Sequence, residues 1–267
     1  MTTLAVAVTG RGIVPVEAPV IRADDEALSR GRAVFETLRV YDGRPFRLEQ
    51  HLDRLAQSAE RIALAPPPRD ELARLSALAL EEVAVRDAML RLTWTPGGVG
   101  IALVAGVPPE LDAMRGRGAR LASLAGPIGT APWLLGGVKT TSYAVNMAAQ
   151  AEAQRGGADD AIFVSADGIV LEGPTTNVWW RKGETLYTPA LELGVLAGVT
   201  RAALMELSER PVEEGAFACD ELYDADELFT SSSVREVMPA VELDGRAIPR
   251  GPAADELQAA LRAAALS

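Results

Sequence analysis

The stretch Ala125 to Gly137, AGPIGTAPWLLGG, is the feature that most constrains the fold: six of its thirteen residues are glycine or proline. Neither a helix nor a strand is expected to run through so many breakers. The stretch therefore reads as a linker over residues 125–137, between an N-terminal α+β domain over 1–124 and a C-terminal α+β domain over 138–267. A chain of 267 residues is long enough for two modest domains, each with its own core.

On both sides of the linker, short β-rich runs alternate with amphipathic helical segments, without the regular strand–helix–strand rhythm of a doubly wound sheet. Ala33 to Tyr41 (AVFETLRVY) reads as a strand, with a turn at Gly43-Arg44-Pro45. Leu48, Leu52, Leu55, Ala59 and Ile62 recur at three- and four-residue spacing, which predicts a helix ended by Ala65-Pro66-Pro67-Pro68. A second helix is expected over Asp70 to Val85, and paired strands over Ala88 to Thr95 and Ile101 to Val107. In the second half the pattern predicts a helix over Tyr143 to Gln154 and a hairpin of Ala161 to Ser165 with Ile169 to Glu172. A further hairpin pairs Asn177 to Arg181 with Thr185 to Thr188, and helices follow over Thr200 to Arg210 and Ala254 to Ala265. Trp179 and Trp180 are adjacent on one expected strand, so only one of them is expected to face the core.

Composition narrows the function. With 48% hydrophobic and 24% charged residues, the chain needs neither disulfides nor a structural metal to fold. Its net charge of −11 disfavours nucleic acid and anionic membranes as partners. The single cysteine, Cys219, expected at a helix start, cannot close an internal disulfide, which fits a reducing compartment. The single histidine, His51, argues against a multi-histidine metal centre and against a serine–histidine–aspartate triad. No apolar run reaches the roughly 20 residues of a membrane helix, and the start does not read as a signal peptide, so the expected location is the cytoplasm.

Chemistry that requires an amine has two candidates, because all basic residues but Lys139 and Lys182 are arginine or the one histidine. Lys139 follows Leu134-Leu135-Gly136-Gly137-Val138. Partial desolvation there would lower its pKa and make it nucleophilic; the other reading is a surface lysine with its stem on apolar residues. Lys182 lies in the charged turn Arg181-Lys182-Gly183-Glu184 and is expected in solvent. Glu172, at the end of an apolar run beside Gly173-Pro174, suits a protonated ring nitrogen, or faces water as an edge-strand glutamate. Gly194 to Arg201 (GVLAGVTR) leads into a helix whose free N–H groups and Thr200 hydroxyl suit a phosphate, with Thr200 as a plain N-cap the alternative. Thr230 to Ser233 is a hydroxyl cluster expected as a loop. His51 and Arg54 share one helix face. Arg54 reaches an anion or pairs with Asp53 or Glu49, and His51 is expected as a hydrogen-bonded structural residue. No P-loop or dinucleotide-binding turn is present.

The order of these features is more specific than any of them alone. Val34-Phe35-Glu36-Thr37, Glu49 to Leu55, Lys139-Thr140-Thr141-Ser142-Tyr143 with Asn146, and Leu171-Glu172-Gly173 with Thr175, Thr176 and Asn177 follow one another along the chain. Tyr187-Thr188-Pro189, Leu196 to Arg201, and Ser231-Ser232-Ser233 with Glu236 and Pro239 complete the series. In this order the chain resembles the aminotransferase class IV family, the fold-type-IV pyridoxal-phosphate enzymes, from about Leu4 to Ala265.

The resemblance implies a two-domain α+β fold of the D-amino acid aminotransferase type, with pyridoxal 5′-phosphate in the interdomain cleft and a homodimeric assembly. It implies that Lys139 forms the Schiff base with the cofactor and then moves the substrate proton. Glu172 pairs with the pyridine nitrogen, Tyr143 bonds the ring oxygen, and Arg54, Val199, Thr200 and Ser233 hold the phosphate with Ser232 close by. The substrate is a small-molecule amino compound, and Phe35 is a candidate wall of its pocket, the alternative being ordinary core. Lys139 to Asn146 (KTTSYAVN) and Leu171 to Pro174 look most like 4-amino-4-deoxychorismate lyases, which release pyruvate and give 4-aminobenzoate for folate synthesis. The alternative is a class IV aminotransferase acting on branched-chain amino acids, D-amino acids or amines. Two departures concern substrate binding: Thr95-Pro96-Gly97 stands where many relatives carry an arginine, and Gly31-Arg32-Ala33 where they carry Gly-Asp-Gly. Arg32 is a candidate for the missing positive charge, or a turn residue facing water.

Overall fold

A computed structural model describes residues 2–125 and 135–267. The chain divides into two compact units, residues 1–108 with 138–143, and residues 109–137 with 144–265. Most of the expected linker, 126–134, lies outside the described residues.

The first unit contains β1 (Thr3–Val8), β2 (Gly12–Val14), α1 (Glu26–Ser29), β3 (Val34–Tyr41), β4 (Arg44–Pro45), α2 (Leu48–Arg61), α3 (Arg69–Val83), β5 (Asp87–Trp94) and β6 (Gly100–Ala105). The strands form an antiparallel sheet in the order β2-β1-β6-β5-β3-β4. Leu52, Leu55 and Ala59 of α2 and Leu72, Leu75 and Ala79 of α3 pack on Val34, Leu38, Leu90, Leu92 and Val104 of the sheet. The three- and four-residue spacing in the helices and the alternation in the strands bring these side chains to one interface. Alternation also gives β3 two different faces: Val34, Glu36 and Leu38 point to α2, and Phe35 to the other side.

The second unit contains α4 (Glu110–Arg117), β7 (Ala119–Ala125), α5 (Ala144–Arg155), β8 (Asp160–Val164), β9 (Asn177–Lys182), β10 (Thr185–Pro189), α6 (Val199–Leu207), β11 (Val212–Gly215), β12 (Glu227–Ser232), β13 (Glu236–Leu243), β14 (Arg246–Ala247) and α7 (Ala253–Leu266). Its mixed sheet runs β11-β10-β9-β12-β13-β7-β8, with β14 beside β13. No helix among the described residues is long and apolar enough to cross a membrane.

Several expectations are corrected. β7 lies before the linker in sequence, yet it pairs in parallel with β8 and β13 and so belongs to the second unit. Val138–Tyr143 groups with the first unit, because the Phe35 N–H donates to Lys139 O and the Thr141 N–H to Ala33 O. Ile169 to Glu172 forms isolated bridges to Val164 and Ala218 rather than a continuous strand. Thr230 to Ser232 is the end of β12, not a loop. Both Trp179 and Trp180 are buried, because β9 is covered on both faces: Trp179 stacks on Phe229, Trp180 on Tyr187. Cys219 does open a short helical turn, Cys219–Leu222.

Candidate active site

In the first unit, Lys139 is half-buried and fixed through its backbone. Its N–H donates to Ser58 Oγ at 3.2 Å, and its carbonyl accepts from Phe35 at 3.1 Å. Gly31 permits this close approach: it has φ +63°, and a Cβ there would stand 2.7 Å from Ser142 Oγ. The Lys139 amine lies 4.5 Å from the centre of the Phe35 ring and 5.6 Å from that of Tyr143. The two rings meet edge to face at 5.1 Å. Four residues singled out in the sequence divide between the faces of β3 here: Lys139, Tyr143 and Phe35 on one, Arg54 on the other.

A residue that sequence reasoning missed completes the group. Arg91, on β5, pairs with Thr37 across the sheet, which puts it diagonal to Phe35 on the same face. Its guanidinium lies over the Phe35 ring, 3.9 Å from the centre. Among the described residues Arg91 has no hydrogen bond or ion pair, and burial pulls its pKa down, with Tyr143 acting weakly in the other direction. The sequence does carry a signal, a charged residue inside the apolar strand AMLRLTW. The two sequence departures do not supply this charge. Arg32 is half-buried and occupied: it pairs with Glu26 and donates to the carbonyls of Ile62 and Ala63 beyond the end of α2. Thr95 closes the turn before β6 by accepting from the Val99 N–H.

On the other face of β3, α2 presents His51 and Arg54 to Glu36. Arg54 Nε and Nη2 donate to the two carboxylate oxygens at 2.7 and 2.6 Å, and His51 Nδ1 lies 2.7 Å from Oε2. Arg54 is thus in a buried ion pair with Glu36; Asp53 and Glu49 pair with Arg69 instead. Burial alone would raise the Glu36 carboxyl, but Arg54 and His51 outweigh it and hold it at about 2. Burial pushes His51 below its usual value, and the Lys139 and Arg54 charges add to that against the pull of Glu36. A neutral His51 therefore donates its Nδ1–H to a charged carboxylate.

In the second unit, Glu172 is half-buried and its Oε2 accepts the Leu196 N–H at 2.9 Å. The Glu172 carbonyl accepts from Phe163 of β8, which fixes the segment. Leu196 is tied a second time, its carbonyl accepting from Asn177 Nδ2 at 2.9 Å. Gly198 then starts α6, and a side chain there would collide with Asn177 Oδ1. Gly198, not Thr200, is the N-cap, and no side chain caps the helix. Val199 and Thr200 occupy its first two positions, both buried. Thr200 Oγ1 lies 3.4 Å from Ser233 Oγ, so α6 and the turn after β12 bring two hydroxyls to an uncapped helix N-terminus. Ser232 is half-buried at the end of β12, and its Oγ accepts the Arg235 N–H.

A model of the amino-transferase class IV family matches residues 33–243. The chain belongs to that family, and it is a pyridoxal-phosphate-dependent enzyme with the fold-type-IV architecture. It is 35% identical to a bifunctional aminodeoxychorismate lyase / D-amino acid transaminase of Mycobacterium tuberculosis, over 93% of this chain and 94% of that protein. Among solved structures, a fold IV-transaminase from Curtobacterium pusillum superposes with a TM-score of 0.88 at 36% identity, covering 94% of this chain and 93% of that one. A hypothetical aminotransferase from Mycobacterium tuberculosis in its PLP-bound form gives 0.91 at 34% identity, with 98% of both chains covered. The residues present fit pyridoxal phosphate: a single half-buried lysine for the aldehyde, a carboxylate for the ring nitrogen, and an uncapped helix start with two hydroxyls for the phosphate.

Proposed function

We propose that the chain is a 4-amino-4-deoxychorismate lyase, which eliminates pyruvate and gives 4-aminobenzoate. The observation that carries it is the arrangement around Phe35, where the Lys139 amine and the Arg91 guanidinium stand over one aromatic ring. An amine that moves a proton and a desolvated cation for a carboxylate are what an anionic amino substrate requires. The likeness of Lys139 to Asn146 and Leu171 to Pro174 to the lyases supports this reading, as does the bifunctional relative.

Lys139 would hold the cofactor and Glu172 would pair with its ring nitrogen. Val199, Thr200, Ser233 and Arg54 would take the phosphate, with Ser232 beside them. Tyr143 would bond the ring oxygen. When bound, the cofactor supplies an electron sink for charge developing at the amine-bearing carbon. The Lys139 amine would remove the proton from that carbon. That proton balances the one the departing enolpyruvyl group gains as it becomes pyruvate and the ring becomes aromatic. Arg91 would hold a substrate carboxylate while Phe35 and Tyr143 exclude water.

A second reading is a class IV aminotransferase on the same residues, favoured by the transaminase activity in that relative's name. Incubation of the pure enzyme and pyridoxal phosphate with 4-amino-4-deoxychorismate separates the two. Equimolar 4-aminobenzoate and pyruvate are expected from the wild type and not from Lys139→Ala. No release by an enzyme with a normal cofactor spectrum would favour the aminotransferase. We also propose a cytoplasmic homodimer. On α5 only Ala153 is buried, and the apolar side chains of Val145 and Met147, on different sides of the helix, are 52% and 42% exposed and available to a second copy.

A further inference from the structure

We propose that Glu36, braced by His51, is a positioning residue that sets the Arg54 guanidinium for the cofactor phosphate; this rests on the reading of Arg54 as a phosphate ligand. The three side chains are 0%, 1% and 8% exposed, and they join the centre of β3 to the first two turns of α2. Both Glu36 oxygens engage Arg54, through Nε at 2.7 Å and Nη2 at 2.6 Å, so the plane of the guanidinium is fixed by two parallel bonds. The His51 Nδ1–H at 2.7 Å fixes the carboxylate in turn.

A lone surface ion pair would do little here, but this one has no exposed carboxylate surface. An arginine side chain loses much of its rotamer freedom when immobilised. Glu36 imposes that order before any anion arrives. It also sets a negative charge behind the guanidinium, which opposes phosphate. The two effects have opposite signs, so removing the carboxylate charge tells which one dominates. If orientation dominates, phosphate recognition weakens when Glu36 is neutralised.

The test compares pyridoxal phosphate with pyridoxal, which lacks the phosphate, in binding to the full-length apoprotein. The absorbance of the lysine-linked form reads both dissociation constants. Glu36→Gln is expected to lower the preference for the phosphorylated form about tenfold, the size of effect seen when a supporting hydrogen bond behind a ligand is lost. Pyridoxal binding itself should change less than about twofold. In an Arg54→Gln background the Glu36 substitution should have no further effect. Equal weakening of both ligands, an unchanged preference, or a tighter phosphate would overturn the proposal. An Arg54→Gln protein with undiminished preference would instead remove the phosphate reading of Arg54, and the proposal with it. If Glu36→Gln gives no folded apoprotein by circular dichroism, His51→Leu and His51→Gln serve. The leucine variant should lose about threefold in preference and the glutamine variant, which restores an N–H donor, should regain it. No loss with His51→Leu would then overturn the proposal.

Discussion

Phe35 and Glu36 are neighbours on β3 with opposite duties, because successive side chains of a strand point to opposite faces. Glu36 carries a pH consequence. Its pKa falls from 4.5 to about 2 in the folded protein, and that of His51 falls below 6.5. In both cases the unfolded chain binds more protons than the folded one, so stability rises with pH. Urea titrations should show stability falling once pH drops below 6.5, and more steeply between 4.5 and 2. A stability that rises on acidification would contradict the buried charge arrangement. Arg91 carries a kinetic consequence. Arg91→Gln should raise KM for the carboxylate substrate about tenfold or more with the cofactor spectrum unchanged, since a charge-assisted bond contributes about 1.5–3 kcal/mol. Glu172→Gln should keep the cofactor bound yet slow turnover strongly. Stopped-flow absorbance separates that from a binding defect.

Among the elements, α6 matters most, because its start is left uncapped where Gly198 passes Asn177. Gly198→Ala should weaken cofactor binding and cost about 1–3 kcal/mol of stability, since the methyl group has no space beside Asn177 Oδ1. Calorimetry with and without cofactor checks both. Thr200→Val should weaken the cofactor without comparable loss of apoprotein stability. Local pattern made α2, α3 and the β9–β10 hairpin legible in the sequence, because their signals lie within a few residues. The order of motifs made Lys139, Glu172 and Thr200 legible as candidates. What stayed hidden depends on distant partners. β7 joins its sheet through parallel pairing with β13, more than 100 residues away, and no turn announces it. Trp180 is buried because Tyr187 and Phe217 cover the second face of β9. The Glu36 partner of Arg54 is not legible locally, because it lies 18 residues back across a helix–strand interface, whereas the alternatives Asp53 and Glu49 are sequence neighbours.

At the scale of the whole molecule, the net charge of −11 makes the surface unfavourable for an anionic cofactor and substrate. In the proposed function, binding then depends on local cations: Lys139, Arg91 and Arg54 in the first unit, and the helix start of α6 in the second. The exposed apolar side chains of α5 belong to this scale as well. Replacing Val145 and Met147 with Asp should shift a dimer toward monomer in light scattering; a wild type that is monomeric at micromolar concentration would contradict the assembly. Lys139 is the proposed holder of the cofactor, and the chain contains only one other lysine, Lys182, exposed at the end of β9. Borohydride reduction of the holoprotein followed by peptide mass mapping tests this directly. One reduced pyridoxyl group per chain is expected, on the peptide containing Lys139, and none on Lys139→Ala. Label on Lys182, or no covalent label at all, would contradict it.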